Sequence, residues 1–216
     1  MRPWFCLVTT LAACSSPSPE RISAVEQGRA VFQTPKSGFS CATCHAVEAT
    51  GLLLPGAPLA GVTERPSFWG RQENDLLRAV NQCRVVFQLV PELRAEEPEA
   101  ARLYAYLESL PGDAEPWPFT VVQEVAELPG GDAEAGGETY RAACAGCHEA
   151  LGDDVPRLPD DALARHAHYS AAEQRLVFVE KARHGAFLGY GGRMPPFSAE
   201  ALSDAQLADV LAYLDL

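Results

Sequence analysis

The chain has 216 residues, which is enough for one large domain or two small ones. Its 17 Lys and Arg residues and 29 Asp and Glu residues give a formal net charge of −12, which argues against a nucleic-acid-binding protein because such proteins need a basic surface. The hydrophobic content of 47% argues against a disordered chain, and no apolar run approaches the ~20 residues that span a bilayer.

The first residues predict an export signal. Arg2 precedes a short apolar stretch at residues 4–11, and small residues follow, which is the anatomy of such signals. Residues 11–14, LAAC, resemble the lipobox of bacterial lipoproteins, which implies cleavage before Cys14 and lipidation of Cys14. The alternative is an ordinary secretory signal in which Cys14 has no such role.

On the lipobox hypothesis, residues 1–13 are a signal peptide and residues 14–23 are a lipidated tether, whose stretch SSPSPE suits a flexible linker. The protein would then be exported and held by a lipid anchor on the periplasmic side of a bacterial membrane. Ser15, which follows Cys14, slightly favours the outer membrane by the same resemblance.

The chain contains an internal repeat. The pentapeptide CATCH at residues 41–45 reappears as CAGCH at residues 144–148, 103 residues later. The flanking segments also repeat in order: a glycine and an aromatic residue before the motif (28–32 and 137–140), a proline loop (56–59 and 155–158), a helical stretch (73–87 and 171–184) and a final amphipathic helix (103–107 and 211–214).

The predicted architecture is all-α, with two tandem domains at residues 24–112 and 130–216. The linker between them, residues 113–129, is rich in Gly, Pro and acidic residues. No convincing alternating strand pattern is present, and Ser203 is predicted to cap the last helix. Domains of this size hold only a small core unaided, so each needs another group to fill it.

The CxxCH motif is typical of covalent haem c attachment. Cysteines three residues apart on a helical turn face one side and can reach two vinyl groups of one porphyrin, and the histidine that follows can ligate the iron. The sequence therefore predicts two covalently bound haem c groups. The attachment residues are Cys41, Cys44, Cys144 and Cys147, and the iron ligands are His45 and His148.

Two other interpretations of these cysteines carry less support. A redox-active dithiol is expected within a βαβ pattern, which neither motif has. A single structural zinc held by four cysteines would leave the two histidines and the repeated flanks as coincidences.

The order of these segments resembles that of the dihaem cytochromes c that consist of two mono-haem cytochrome c domains. The matching segments of the second unit are residues 137–140, 144–148, 156, 193–197 (RMPPF) and 211–214. The resemblance implies cytochrome c-like domains over nearly the whole mature chain and Met194 as the second ligand of the second haem. It also implies that the proline after CxxCH lies beside the histidine and that its carbonyl helps to fix the histidine ring.

Met194 is the only methionine outside the signal peptide. It follows Gly191 and Gly192, which let the backbone approach a porphyrin closely, and it lies 46 residues after His148. Ligation by His148 and Met194 would raise the reduction potential of the second haem. The alternative is a methionine that only fills the core.

The first unit has no methionine, so its haem needs a different second ligand. Cys83 lies 38 residues after His45 and is left over once Cys14 and the four attachment cysteines are assigned. The segment around Cys83 resembles that of dihaem thiosulfate dehydrogenases and related sulfur-oxidation cytochromes, which implies that Cys83 ligates the first haem. A buried free thiol and an intermolecular disulfide are the alternatives.

Few other residues are candidates for the second iron ligand of the first haem. Gln88 is a poor iron ligand, and His166 and His168 belong to an insertion of the second unit. His184 aligns with Cys83 in the second unit, where a helix end or the propionate edge of the second haem is expected for it.

Three functions are compatible with two covalent haems. The preferred one is an electron carrier without catalytic residues, whose acidic surface would recruit a redox partner with a basic docking surface. The second is an oxidoreductase resembling thiosulfate dehydrogenase, with catalysis at a Cys-ligated first haem. Cations near Cys83 could then receive an oxyanion: Arg65, Arg71, Arg78 and Arg84. The third is a haem-based sensor, but no signalling domain accompanies the motifs.

Overall fold

The computed structural model describes residues 23–47, 53–112, 115–120, 122–128, 130–150, 155–158, 160, 168–187 and 191–216. Within these residues eight α-helices and one 3-10 turn are joined by loops, and β-pairing is limited to two isolated bridges. The all-α fold class is therefore confirmed. Cys14, the signal peptide and His166 lie outside the described residues.

The helices fall into two series along the chain. The first contains α1 (Ala24–Gln33), α2 (Cys41–Cys44), the 3-10 turn (Val62–Glu64), α3 (Leu76–Val86) and α4 (Pro98–Glu108). The second contains α5 (Ala133–Ala143), α6 (Ala145–His148), α7 (Ala171–His184) and α8 (Asp204–Tyr213). No helix in the described part of the chain is both long and apolar enough to cross a bilayer.

Side-chain caps set where several helices begin. Ser203 accepts a hydrogen bond from the backbone N–H of Gln206, so the predicted cap of α8 is confirmed. Helix α7 covers the predicted residues 171–184. Helix α3 begins three residues later than predicted, because Asp75 caps it by accepting from the N–H of Arg78 at 2.8 Å.

Each series contains one close helix pair, α1 with α4 and α5 with α8. A Cβ atom on Gly28 would lie 1.9 Å from the carbonyl oxygen of Arg102, and one on Gly136 would lie 1.9 Å from that of Asp209. Both positions therefore require glycine for the helices to touch. The structural counterpart of Gly28 is thus Gly136, whereas the sequence comparison had paired Gly28 with Gly137.

Two separate clusters of buried apolar residues form the cores. The first cluster consists of Phe32, Val62, Leu93, Ala100, Leu103, Tyr106 and Leu107. The second consists of Leu128, Tyr140, Phe178, Val179, Ala182, Phe197, Leu202, Leu207, Ala208, Val210, Leu211 and Leu214. Equivalent aromatic pairs join the two helices of each pair, Phe32 with Tyr106 and Tyr140 with Tyr213, at centroid distances of 5.3 and 5.4 Å.

Candidate functional site

The first CxxCH motif forms a single helical turn. Cys41–Cys44 is helix α2, and the backbone N–H of Ser40 donates to the hydroxyl of Thr43 at 2.9 Å. His45 ends the turn by donating its backbone N–H to the carbonyl of Cys41. The turn therefore fixes both cysteines and the histidine relative to one another.

The ring of His45 is held by the loop that follows the motif. Its Nδ1 donates to the carbonyl oxygen of Ala57 at 2.8 Å, which leaves Nε2 as the nitrogen that can bind a metal. Burial lowers the pKa of His45 and so favours the neutral ring that a metal needs. A Cβ on Gly56 would lie 2.5 Å from the ring, so only glycine fits there.

A large cleft opens beside this turn. It encloses about 1370 Å³, the open space at its mouth included, and its lining is mostly apolar. Four of its lining residues can bond to a haem or its iron: Cys41, Cys44, His45 and Cys83. An apolar cleft with thiols and a neutral imidazole has the chemistry that haem c requires, so the residues present fit the predicted group.

Helix α3 places Cys83 in this cleft. Burial raises the pKa of the Cys83 thiol, with smaller contributions from the thiols of Cys44 and Cys41, so the three cysteines are near neighbours. Gln88 is also buried beside them, and its side-chain amide approaches the sulfur of Cys41 at 3.8 Å. The structure thus brings the predicted second ligand of the first haem into the cleft that contains His45.

The four arginines near Cys83 differ in their surroundings. Arg78 is exposed and pairs with Glu73, and Arg84 lines the cleft but pairs with Glu99 at 2.7 Å. Arg65 also lines the cleft and donates to the carbonyl of Ala60 at 2.7 Å.

The Nε of Arg65 is buried and has no hydrogen-bond partner among the described atoms. The remaining cation, Arg71, is exposed. Arg65 and Arg84 are therefore the two cations of this group that line the cleft.

The second CxxCH motif repeats the arrangement of the first. Helix α6 spans Ala145–His148, and His148 donates its backbone N–H to the carbonyl of Cys144. The Nδ1 of its ring donates to the carbonyl oxygen of Pro156 at 2.7 Å, and burial lowers its pKa. The carbonyl comes from the proline itself here, whereas in the first motif it comes from Ala57, the residue before Pro58.

Met194 lies in a loop that folds back on α7. The loop begins at Gly191 and Gly192, whose φ angles of +63° and +75° favour glycine. Lys181 donates to the carbonyl of Gly191 at 2.7 Å and so ties the loop to α7. Met194 packs against the second apolar cluster, as does Cys144, so the predicted ligand and an attachment cysteine border the same core.

The histidines of the second series lie elsewhere. His184 is the last residue of α7, which agrees with the expectation that it lies at a helix end. Its Nε2 donates to the carbonyl of Val122 at 2.7 Å. His168 is exposed and its ring contacts Tyr169. Neither residue lines the cleft around Cys83.

The two motif regions are in contact. The backbone N–H of Leu53, beyond the first motif, donates to the carbonyl of Ala142, just before the second. The pKa of Cys44 is raised to about 12, chiefly by burial and also by the thiol of Cys147. This proximity depends on long-range packing, which no local sequence pattern predicts.

Aromatic side chains line the junction between the two series. Trp69 stacks edge-on against Phe119 and Phe187 at centroid distances of 5.6 and 5.4 Å, and Phe187 also contacts Phe87. Trp69 and Phe87 line the cleft. The wall of the first site is therefore continuous with the second series of helices.

The described side chains form no group of three or more His, Cys, Asp or Glu residues arranged for a metal ion. A tetrahedral zinc site needs four such ligands around one ion, so the zinc interpretation gains no support from the positions of the five described cysteines. These cysteines also form no disulfide with one another.

A helical fold with CxxCH turns and partly buried, backbone-held histidines is the pattern of c-type cytochromes. Comparison with known proteins agrees with this class: residues 131–214 match the family model described as cytochrome c oxidase, cbb3-type, subunit III. The second series of helices is therefore similar to a cytochrome c-type domain, the kind of domain that holds a covalently bound haem c.

The chain is also similar, over most of its length, to proteins that share the name cytochrome bc1 complex cytochrome c subunit. Over 232 aligned residues the chain is 28% identical to the cytochrome bc1 complex cytochrome c subunit of Mycobacterium bovis (strain ATCC BAA-935 / AF2122/97) and to that of Mycobacterium tuberculosis (strain ATCC 25618 / H37Rv). Each alignment covers 94% of this chain and 70% of the relative. These similarities support a role in electron transfer.

Proposed function

We propose that the protein is a dihaem c-type cytochrome that carries electrons between redox proteins on the periplasmic side of a bacterial membrane. The observation that carries the proposal is the duplicated histidine: His45 and His148 each donate Nδ1 to a loop carbonyl and keep Nε2 for a metal. A metal-free structural role would not require this arrangement twice.

Each proposed haem has one attachment pair and two iron ligands. The first would be attached to Cys41 and Cys44 and ligated by His45 and Cys83, which all line one cleft. The second would be attached to Cys144 and Cys147 and ligated by His148 and Met194. Each haem supplies reversible one-electron chemistry at its iron, Fe³⁺ to Fe²⁺.

The chain's own residues set the difference between the two sites. A thiolate at Cys83 donates charge to ferric iron and lowers the reduction potential, whereas a thioether at Met194 raises it. An electron that enters at the first site would therefore pass to the second and rest there until a redox partner accepts it. The contact between the two motif regions, made by Leu53 and Ala142, supports a short transfer distance.

Haem counting tests the central part of this proposal. The full chain, produced in cells with a haem c attachment system, should carry two covalent haems by intact mass. Serine variants at both cysteines of one motif, C41S/C44S or C144S/C147S, should carry one each. A single haem in the unmodified protein would show that one CxxCH motif has another role.

Lipidation of Cys14 is a separate part of the proposal. The order of signal, small residues and cysteine in residues 1–14 supports it. The protein should remain with membranes in high-salt washes, and C14S should release it. If C14S leaves the protein equally membrane-bound in salt, the anchor at Cys14 is wrong.

The proposed partners are redox proteins with basic docking surfaces. The net charge of −12 would attract such a surface at low ionic strength, and salt would weaken the attraction. The name of the similar mycobacterial proteins makes a bc1-type membrane complex a candidate electron donor. Reduction of the protein by a purified partner should slow as salt is raised, and a rate independent of salt would exclude electrostatic docking.

A thiosulfate dehydrogenase-like activity is the second candidate, and Arg65 favours it. This cation lines the same cleft as Cys83, so its guanidinium could hold an oxyanion there. Thiosulfate added to the oxidised protein should reduce an enzyme of this kind, and R65M should abolish the reduction. A carrier should show no spectral change with thiosulfate.

A further inference from the structure

Arg193 crosses from the second series of helices to the first. Its Nε and Nη2 donate to the carbonyl oxygen of Phe87 at 3.0 and 2.7 Å, and Nη2 also donates to the carbonyl of Ser37. Its guanidinium carbon lies 4.5 Å from the centroid of the Phe39 ring. One side chain thus joins three positions of the first unit.

The Phe87 carbonyl lies at the end of the helix that contains Cys83. Phe87 is the C-cap of α3, and its backbone N–H donates to the carbonyl of Cys83 at 3.0 Å. Carbonyls at a helix C-terminus have no partner within the helix and carry a partial negative charge. A cation that binds this carbonyl therefore fixes the end of α3 and, through it, the backbone at Cys83.

The same peptide segment carries the proposed ligand of the second haem. Arg193 is the residue immediately before Met194, and the two residues after Met194, Pro195 and Pro196, line the cleft of the first site. Lys181 holds the start of this loop from its own side by donating to the carbonyl of Gly191. The Met194 loop is therefore anchored twice just before Met194, by Lys181 at Gly191 within the second unit and by Arg193 to the first.

We propose that Arg193 is a positioning residue that couples the two haem sites: it sets the Met194 loop and the Cys83 helix relative to each other. This inference rests on the proposed dihaem function. A guanidinium suits the role because its fixed fork of donors can serve two carbonyls at once, whereas a lysine ammonium at the end of a flexible stem cannot hold both in one geometry.

The test is a redox titration of the full holoprotein and its variants. R193A should lower the potentials of both haems, because a nearby cation favours the reduced, more negative state and because both ligand segments lose their anchor. It should also weaken the charge-transfer band of the bond between Met194 and iron. R193K keeps the charge but not the double contact, so it should shift both potentials in the same direction by less.

A matched control uses another arginine that binds two backbone carbonyls. Arg175 donates to the carbonyls of Leu216, in the second unit, and Leu128, in the linker, and R175A should leave both potentials unchanged. The proposal is overturned if R193A shifts one potential or neither, if R193K matches the wild type, or if R175A has the same effect as R193A. A failure of the proposed dihaem function would be distinguishable from a failure of this proposal, because the unmodified protein would then carry fewer than two covalent haems.

Discussion

The two CxxCH units hold their histidines alike and differ in the side chain that is proposed as the second iron ligand. His45 donates Nδ1 to the carbonyl of Ala57, and His148 donates Nδ1 to that of Pro156, at 2.8 and 2.7 Å. Each unit also closes one helix pair over a glycine, Gly28 or Gly136. Attachment and framework are therefore the shared part of the repeat.

The remaining side of each site has diverged. In the first unit the cleft contains Cys83 on a helix, whereas in the second unit Met194 lies in a loop bordered by Gly191 and Gly192. If Cys83 and Met194 are the second ligands, the type of the ligand and its supporting element have changed between the units while the histidine side is kept. Two potentials in one chain follow from such a divergence.

Removal of one haem at a time should have the largest effect and should separate the units. The first cleft is lined by core residues such as Phe32, Val62 and Leu103, so C41S/C44S should unfold much of the first unit. The free energy of unfolding of a small domain is only about 5–15 kcal/mol. Loss of the haem that fills its core is expected to cost more than this. Far-ultraviolet circular dichroism during heating measures this.

The matching variant of the second unit gives the comparison. C144S/C147S should lose less helical signal, because twelve buried residues form the second cluster without the haem. An equal loss of helical signal in the two variants would contradict this expectation that the second core depends less on its haem than the first.

The glycines of the two helix pairs test the shared framework. G28A and G136A each place a methyl group 1.9 Å from a carbonyl oxygen, so both should lower the free energy of unfolding by about 1–3 kcal/mol. Denaturant titration measures it. The control is G130A, whose added Cβ meets nothing within 4 Å and should change stability by no more than about 0.5 kcal/mol. A clear loss of stability in only one of the two variants would show that Gly28 and Gly136 are not equivalent.

Much of this framework could be predicted from the sequence, because helix periodicity, caps and the CxxCH spacing are local signals. Helix α7 and the Ser203 cap were predicted as the structure has them. The pairing of Gly28 was predicted one residue off, since two adjacent glycines occur at 136–137 and only the helix crossing distinguishes them.

The candidate sites could be predicted only in part. The motif residues and Met194 are marked by composition and spacing, but the guanidinium of Arg193 reaches residues more than 100 positions away in the chain. Its partners are backbone carbonyls, which every residue has, so the residue types in the sequence do not indicate them. The proximity of the two motifs is hidden for the same reason.

A smaller effect concerns the segment between the units. Thr120 donates to Glu200 through its backbone N–H at 2.9 Å and its hydroxyl at 2.5 Å. Burial raises the pKa of Glu200, but these bonds, with further hydrogen bonds from the Glu200 backbone and the Ser198 side chain, outweigh it and lower the pKa from 4.5 to about 2. Because the folded-state pKa is depressed, this contribution to stability is complete above pH 4.5 and is lost as pH falls towards 2.

Substitutions at this contact should show the dependence on pH. T120V should cost about 1 kcal/mol at pH 7, and the difference from wild type should shrink as pH falls from 4.5 to 2. E200Q should remove most of the same stability at pH 7. A difference that stays constant across that range would mean that the carboxylate of Glu200 is not the group responsible.

Electron paramagnetic resonance of the oxidised holoprotein tests the central claim most directly, since it separates iron sites by their ligands. The account predicts two low-spin ferric signals, one of thiolate type that C83A removes and one that M194A alters while the thiolate signal persists. Survival of the thiolate-type signal in C83A, or its absence from the unmodified protein, would contradict the assignment of Cys83 to the first haem.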